Sequence, residues 1–311
     1  MQVSVVIATY NRARLLGATL EALAAQRVAA GLDWEIVVVD NASRDGTAEL
    51  IRWFAKGAPV PVRASFESRQ GVSHARNRGI AEARGGILAF TDDDVLPAPD
   101  WVAETVAAMD RWKAHGVGGR ILPRWETSPP PWLSESKRLR ECLALEESEE
   151  SGLLSLPRRL PTIWGPNMAF RREVFERAGG FDPQLGLVGN RLFRGEDVDL
   201  VERALELGLP LAYDAALMVF HRIGADRMRR GYFRRLSYDN GEGRGRVLGA
   251  PLTQCRIAVT GLPKWIGLRL LGRPRAFDAE LAWLESLGTL AGYGRARLGA
   301  GRSRRSDITE A

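Results

Sequence analysis

The chain predicts a doubly wound α/β fold on a mostly parallel sheet, followed by a C-terminal helical extension. Three observations predict it. Short apolar runs alternate with helical patterns through the first part of the chain, joined by short connections. The runs are continuously apolar rather than alternating, as strands buried on both faces are. Their carboxyl ends carry Thr9, Asp40 and Asp92, at the edge where such sheets bind ligands.

Residues 3–8 (VSVVIA) form the first predicted strand, which runs into Thr9-Tyr10-Asn11-Arg12. Leu15, Leu16, Thr19, Leu20 and Leu23 then share one helical face. Residues 35–40 (EIVVVD) are a second buried strand, and Asn41, Ser43 and Asp45 supply turn chemistry after it. A third strand is expected over 60–65, a helix over 71–83, and a fourth, fully buried strand through Ile87, Leu88, Ala89 and Phe90. That fourth strand ends in Asp92-Asp93-Asp94 and turns at Pro97. Residues 100–112 are amphipathic, with Trp101, Val102, Thr105, Val106, Met109 and Trp112 in register.

From 122 to 161 the pattern is lost. Pro129-Pro130-Pro131 and the acidic group Glu146, Glu147, Glu149 and Glu150 mark an insertion with one helix, partly mobile and near the site. Order resumes at Trp164-Gly165-Pro166-Asn167, followed by a helix over 171–178 and another from Gly195-Glu196-Asp197 to about Leu207. Two short strands, 211–213 and 216–220, deliver His221. Helical stretches over 224–248, 252–271 and 275–298 are separated by Pro251 and Pro274, and the last ten residues read as disordered. The expected organisation is a domain over 1–222, with a ligand-binding half over 1–97, and a basic helical extension over 223–311.

The three aspartates need a cation or outward solvation, because adjacent carboxylates repel. On a strand, Asp92 and Asp94 share one face and Asp93 the other. Two convergent carboxylates suit a hard divalent ion that takes phosphate oxygens as further ligands, while a solvated acidic turn fits the triplet alone equally well. Asp197 starts a helix, so it fits a capping role as well as a chemical one. The loop after the first strand has no glycine, which excludes the phosphate cradles of Rossmann and P-loop proteins. It also weighs against sugar nucleotidyltransferases. No Ser/His/Asp arrangement suggests a covalent nucleophile.

The 311 residues are 45% hydrophobic and 26% charged, ordinary for a globular protein, with a net charge of +6. From His221 onward there are 18 Lys and Arg against 8 Asp and Glu, so the tail is suited to an anionic partner, such as a membrane surface or a phosphorylated acceptor. No nucleic-acid motif accompanies it. Cys142 and Cys255 fit no metal spacing and read as reduced, which suits a cytoplasmic protein. Met1-Gln2-Val3 runs straight into a strand, so no secretory leader is expected.

Five stretches together resemble the inverting glycosyltransferases of family 2, which have the GT-A fold. They are SVVIATYNR, EIVVVDNASRDGT, GVSHARNRGIAEARGGILAFTDDD, GPNMAFRREVFERAGGFD and GEDVDLVERALELG, in that order over residues 3–222. The resemblance implies an enzyme that moves a sugar from a UDP-, GDP- or dTDP-sugar to an acceptor hydroxyl, lipid-linked or polymeric, with Mn2+ or Mg2+ as cofactor. It implies that Thr9, Tyr10 and Arg12 line the nucleotide and that Asp40 meets the base. Arg76 is then expected near the ribose and diphosphate, Asp92 and Asp93 at the nucleotide sugar, and Asp94 on the metal together with Asp92 and His221. Glu196-Asp197 matches the catalytic pair, with Asp197 as general base.

His221 is also compatible with a structural role, Trp164 with either stacking on a sugar or filling the core, and Asn167 with either a sugar contact or holding its turn. Asp40 is open to a turn role as well. A sugar nucleotidyltransferase and a catalytically silent binding subunit are the alternative functions. The expected location is the cytoplasm, peripheral on the inner face of the cell membrane.

Overall fold

A computed structural model describes residues 1–157, 161–188, 191–248, 252–272 and 275–306. Contacts divide the chain into two compact units, one of residues 1–183 and 195–225, the other of 184–194 and 226–311.

The first unit opens with β1 (Val3–Thr9), α1 (Ala13–Ala24), β2 (Trp34–Asp40), α2 (Thr47–Gly57), β3 (Val62–Phe66), α3 (Val72–Glu82) and β4 (Ile87–Asp92). β3, β2, β1 and β4 lie side by side and parallel. β2 is buried at every position, whereas β3 at the sheet edge leaves Phe66 exposed. α1 buries Leu16, Thr19, Leu20 and Leu23. α3 approaches the sheet so closely at Gly79 that an added Cβ would collide with Val6, which only glycine avoids.

Beyond β4 come β5 (Val95–Pro97), α4 (Trp101–Arg111), β6 (Gly116–Trp125), α5 (Pro131–Ser134), α6 (Lys137–Glu141), β7 (Gly152–Leu153), β8 (Met168–Arg171), α7 (Arg172–Ala178), α8 (Glu196–Glu206) and β9 (Leu211–Ile223). The sheet continues in the order β4-β8-β6-β9-β5, with β7 pairing β9 off the path. β8 is antiparallel to both β4 and β6, β6 is parallel to β9, and β5 is antiparallel to β9. Phe90, Phe170, Phe175 and Phe181 interlock on one side of this region, with ring centroids 5.4 Å apart for Phe90–Phe181 and 5.8 Å for Phe90–Phe175.

Three expectations change here. Where a turn at Pro97 was expected, residues 95–97 form β5, which pairs straight onto β9. The two strands expected before His221 are one, β9, whose register against β6 shifts between Gly119 and Arg120. There Asp214 accepts hydrogen bonds from Ala216 N at 3.0 Å and Trp112 Nε1 at 2.8 Å, filling the irregularity with side-chain partners. The insertion expected from 122 starts later, since β6 runs to Trp125, and it carries two short helices and a strand rather than one helix. Its residues 158–160 lie outside the described ones.

The second unit holds α9 (Arg230–Leu248), α10 (Leu252–Leu270) and α11 (Ala276–Ser306). Pro251, Pro274 and residues 307–311 lie outside the described residues, and helix continues to Ser306 where disorder was expected from 302. α9 and α11 touch backbone to backbone. A Cβ added at Gly288 would stand 2.9 Å from Glu242 N, and one at Gly292 would stand 2.8 Å from the Glu242 carbonyl carbon.

Candidate active site

Register puts Thr9 opposite Asp40 and Ala8 opposite Asp92, so three strands end side by side at one sheet edge. The loops leaving them are tied together. Asn11, at φ 53°, accepts from Arg44 N at 2.7 Å and donates its own N–H to Ser43 Oγ at 2.9 Å. Asp40 accepts from Ser43 N, three residues on, at 2.8 Å, which closes the turn after β2. The turn chemistry read after β2 is therefore what fastens β2's loop to that of β1. Tyr10 lies half-buried on the same loop.

The aspartates do not follow strand alternation, because β4 ends at Asp92 and the next two residues turn. Asp93, expected to face away from the other two, is buried and doubly held: Thr9 Oγ1 donates to its Oδ2 at 2.8 Å and Arg12 Nη1 to its Oδ1 at 2.9 Å. The same Arg12 nitrogen donates to Asp94 Oδ2 at 2.9 Å. Thr19, reaching up from α1, offers its hydroxyl to the carbonyls of Asp93 at 3.0 Å and Val95 at 2.8 Å, which pins the turn. Burial pushes the Asp93 carboxyl up to about 6; Arg12 pulls against this and the Asp94 charge adds to it. Although burial opposes its charge, Arg12 is held more firmly protonated by Asp93 and Asp94.

Pairing of β5 with β9 sets Val95 opposite His221 and carries Asp94 with it. His221 Nε2 lies 3.5 Å from Asp94 Oδ1, and Arg222 N donates to the Asp94 carbonyl at 3.0 Å. The Asp94 carboxylate is a donor that suits Mn2+ or Mg2+, with phosphate and water completing the shell, and the imidazole beside it adds a nitrogen donor. Asp92 does not join them. Among the described residues, no three acidic, His or Cys side chains converge on one point.

Asp92 is drawn instead to Arg76, whose Nη2 donates to its Oδ1 at 3.1 Å. Through Nη1 the same guanidinium donates to Glu196 Oε1 at 2.7 Å, and it sits over the Phe181 ring. Arg76 is only 4% exposed. It bridges the two acidic motifs, a pairing that the sequence did not announce. Gly165 makes room, since a Cβ there would lie 2.7 Å from Arg76 Nη2. Gly165 N also donates to Asp197 Oδ2 at 2.8 Å, and Val198 N to Asp197 Oδ1 at 2.8 Å. Burial, then the Asp197 charge, push the Glu196 carboxyl above the usual carboxylate range against the pull of Arg76.

The sheet edge thus gathers two acidic clusters from distant parts of the sequence, Asp92-Asp93-Asp94 and Glu196-Asp197, with two arginines and a histidine. Against known proteins, the family model described as Glycosyl transferase family 2 matches residues 4–179, more than half the chain. The chain belongs to glycosyl transferase family 2. It is 27% identical over 227 residues to the glucosyl-dolichyl phosphate glucuronosyltransferase of Haloferax volcanii, covering 72% of this chain and 70% of that protein. To the validoxylamine A glucosyltransferase of Streptomyces hygroscopicus subsp. jinggangensis it is 30% identical over 237 residues, 67% of this chain and 52% of the relative.

Among solved structures, a Pyrobaculum calidifontis mannosyltransferase in complex with GDP-Man and Mn2+ superposes with a TM-score of 0.58 at 21% identity, covering 100% of this chain and 81% of that one. S. aureus TarS in complex with UDP gives 0.56 at 15% identity, covering 95% and 91%. The fold is GT-A, and the protein is a glycosyltransferase. Membership sets aside the sugar nucleotidyltransferase.

Two residues expected on the sugar side of this family 2 enzyme differ in their surroundings. Asn167 is fully buried; its Oδ1 accepts from Trp101 Nε1 at 2.8 Å, and its Nδ2 donates to the carbonyls of Arg120 and Leu217 at 3.0 Å each. Its amide is committed to joining α4, β6 and β9, so Asn167 belongs to the scaffold. Trp164 is half-buried and bridges to Asn167, one residue before the Gly165 amide that holds Asp197. Thr19, Gly165 and Asn11 were not picked out as site residues from sequence. All three stand in stretches that the sequence does mark, Asn11 and Gly165 within the family motifs and Thr19 on the apolar face of a helix, but nothing local names their partners.

Proposed function

We propose that this glycosyltransferase is an inverting enzyme that moves a sugar from a nucleoside diphosphate sugar to an acceptor hydroxyl, with Asp197 as general base. Arg76 carries the proposal: one buried guanidinium joins Asp92, at the end of the nucleotide-side strand β4, to Glu196, next to Asp197. Donor and base are thereby held at one edge without a flexible link.

Asp197 receives backbone hydrogen bonds on both oxygens, which fixes its orientation while leaving each oxygen a further lone pair for an acceptor proton. Thr9, Arg12 and the turn they brace hold Asp93 and Asp94 in place, and Asp40 with Tyr10 lines the neighbouring loop for the nucleotide. Asp94 and His221 would hold a divalent ion, which when bound supplies Lewis-acid neutralisation of the departing diphosphate. Neighbouring folds solved with GDP-Man and Mn2+, or with UDP, support this donor class. A relative named for glucosyl-dolichyl phosphate supports a lipid-linked acceptor.

The test pairs two variants with a thermal-shift screen of UDP-, GDP- and dTDP-sugars, with and without Mn2+. Asp197→Asn should lower transfer by about two to four orders of magnitude and leave nucleotide stabilisation intact. Asp94→Asn should remove the metal-dependent part of that stabilisation. Full transfer activity in Asp197→Asn would sink the assignment of the base.

A further inference from the structure

Between Glu242 and Asp278 the chain carries seven Lys and Arg and no acid. α10 occupies the middle of this stretch, and one of its faces is well defined. Gln254, Ala258, Gly261 and Trp265, three and four residues apart, meet α11. Ser286 Oγ donates to Gln254 Oε1 at 2.7 Å and Trp283 Nε1 to the Ala258 carbonyl at 3.1 Å. Trp265 stacks on Trp283 with centroids 5.9 Å apart, and a Cβ on Gly261 would stand 3.1 Å from the same indole.

The face turned away repeats the spacing with Val259, Pro263, Ile266 and Leu270, a continuous apolar stripe. Val259 is 76% exposed and Leu270 83%, and Leu271, just past the helix end, is 71% exposed. Arg256 and Lys264 flank the stripe on one side and Arg269 on the other, all exposed.

We infer that α10 is an interfacial helix that beds the Val259–Leu270 stripe into an anionic lipid surface. An apolar stripe edged by long basic side chains suits the boundary of headgroups and acyl chains, where the stems lie along apolar surface and the charges reach phosphate. Charge argues for lipid over a second copy of this chain. Two such faces together would set Arg256, Lys264 and Arg269 against their like, with no acid on the helix to answer them. The helix lies on the surface rather than crossing it, because no helix among the described residues is long and apolar enough to span. The attachment goes beyond glycosyl transfer and is read separately from it.

The experiment sediments the full chain with phosphatidylcholine vesicles, either alone or mixed with phosphatidylglycerol. The chain is expected to pellet with the mixed vesicles and to release as salt rises. Val259→Glu with Leu270→Glu should weaken vesicle partitioning by about tenfold or more. Arg256→Gln with Lys264→Gln and Arg269→Gln should reduce it to the level seen on neutral vesicles. Both sets should keep the parent Tm, since the altered side chains are exposed; if the apolar set fails to fold, the charge set decides. Wild-type chain left in the supernatant, equal binding to both vesicle types, or a dimer that the apolar set dissociates without any vesicle binding would each overturn the proposal.

Discussion

Arg76 is the residue on which the site turns, and its energetics follow from burial. A guanidinium taken out of water must be answered by carboxylates in good geometry, and Asp92 and Glu196 answer it at 3.1 and 2.7 Å. Removing it leaves the buried Glu196 and the half-buried Asp92 with no cation between them. Arg76→Met should therefore cost about 3–5 kcal/mol of stability near neutral pH, measured by urea denaturation. The loss has a pH sign. Glu196 already titrates above the usual carboxylate range, so its charged form is the one that burdens the fold, and it burdens it more once Arg76 is gone. Stability lost near pH 7 should then recover in part toward about pH 4, where the carboxyl holds its proton. Arg76→Lys keeps the charge but not the fork, and should recover only part of the loss, since one ammonium does not span both acids. The sequence marked Arg76 as a functional cation through its HARN setting. Its partner stands 120 residues away, so which acid it meets is a tertiary fact that no local pattern encodes. Asp93 shows the same limit: strand periodicity turned it away from the site, and a turn at its own position brought it in.

At the scale of elements, the parallel half was legible because its strands are apolar throughout and each is followed by a helix. The other half was not. β6 reads GVGGRILPRW, whose glycines and proline look like loop, and β8 is four residues long. Antiparallel strands drawn from distant parts of the chain carry no helix to announce them. The glycines of β6 are nevertheless required by its neighbours. At Gly119, where the register against β9 shifts, an added Cβ would lie 2.6 Å from the Asp214 carbonyl oxygen, a backbone atom that cannot swing aside. Gly119→Ala should destabilise by about 1–3 kcal/mol in equilibrium unfolding, the range for overpacking a filled interior. Because β9 carries His221, the same variant should also weaken the metal-dependent thermal shift by moving His221 off Asp94. A variant with parent stability and parent metal response would show that the irregularity is not needed to place that histidine.

The whole chain holds one feature that its linear order conceals. Composition and charge set a basic helical tail apart from the α/β part, yet residues 184–194 leave the first unit and pack with the second before the chain returns at Gly195. Within that second unit Leu192 N donates to Asp239 Oδ2 at 3.0 Å, Arg194 Nη2 donates to the Tyr232 hydroxyl at 3.2 Å, and Phe193 lies against Gly243. The excursion is as apolar as the chain at large but is short and follows neither helix nor strand periodicity, so sequence alone presents it as an ordinary connection. Its covalent position is what matters. It ends at Gly195, whose φ of 126° suits glycine, and the next two residues are Glu196 and Asp197. A chain ending at Ala225 keeps every residue assigned to the chemistry but removes Asp239, Tyr232 and Gly243, against which Leu192, Arg194 and Phe193 are set. The segment should then lose its anchor, and the first turn of α8 should fray from its amino end. Hydrogen exchange over residues 185–200 is expected to quicken in the shortened chain while β1, β2 and β4 stay protected. Transfer should fall with it by about tenfold or more, as it does when a catalytic group loses its fixed position, whereas nucleotide stabilisation, which depends on the strand ends, should persist. Unchanged exchange at 185–200 would mean that the first unit holds the entry to α8 by itself.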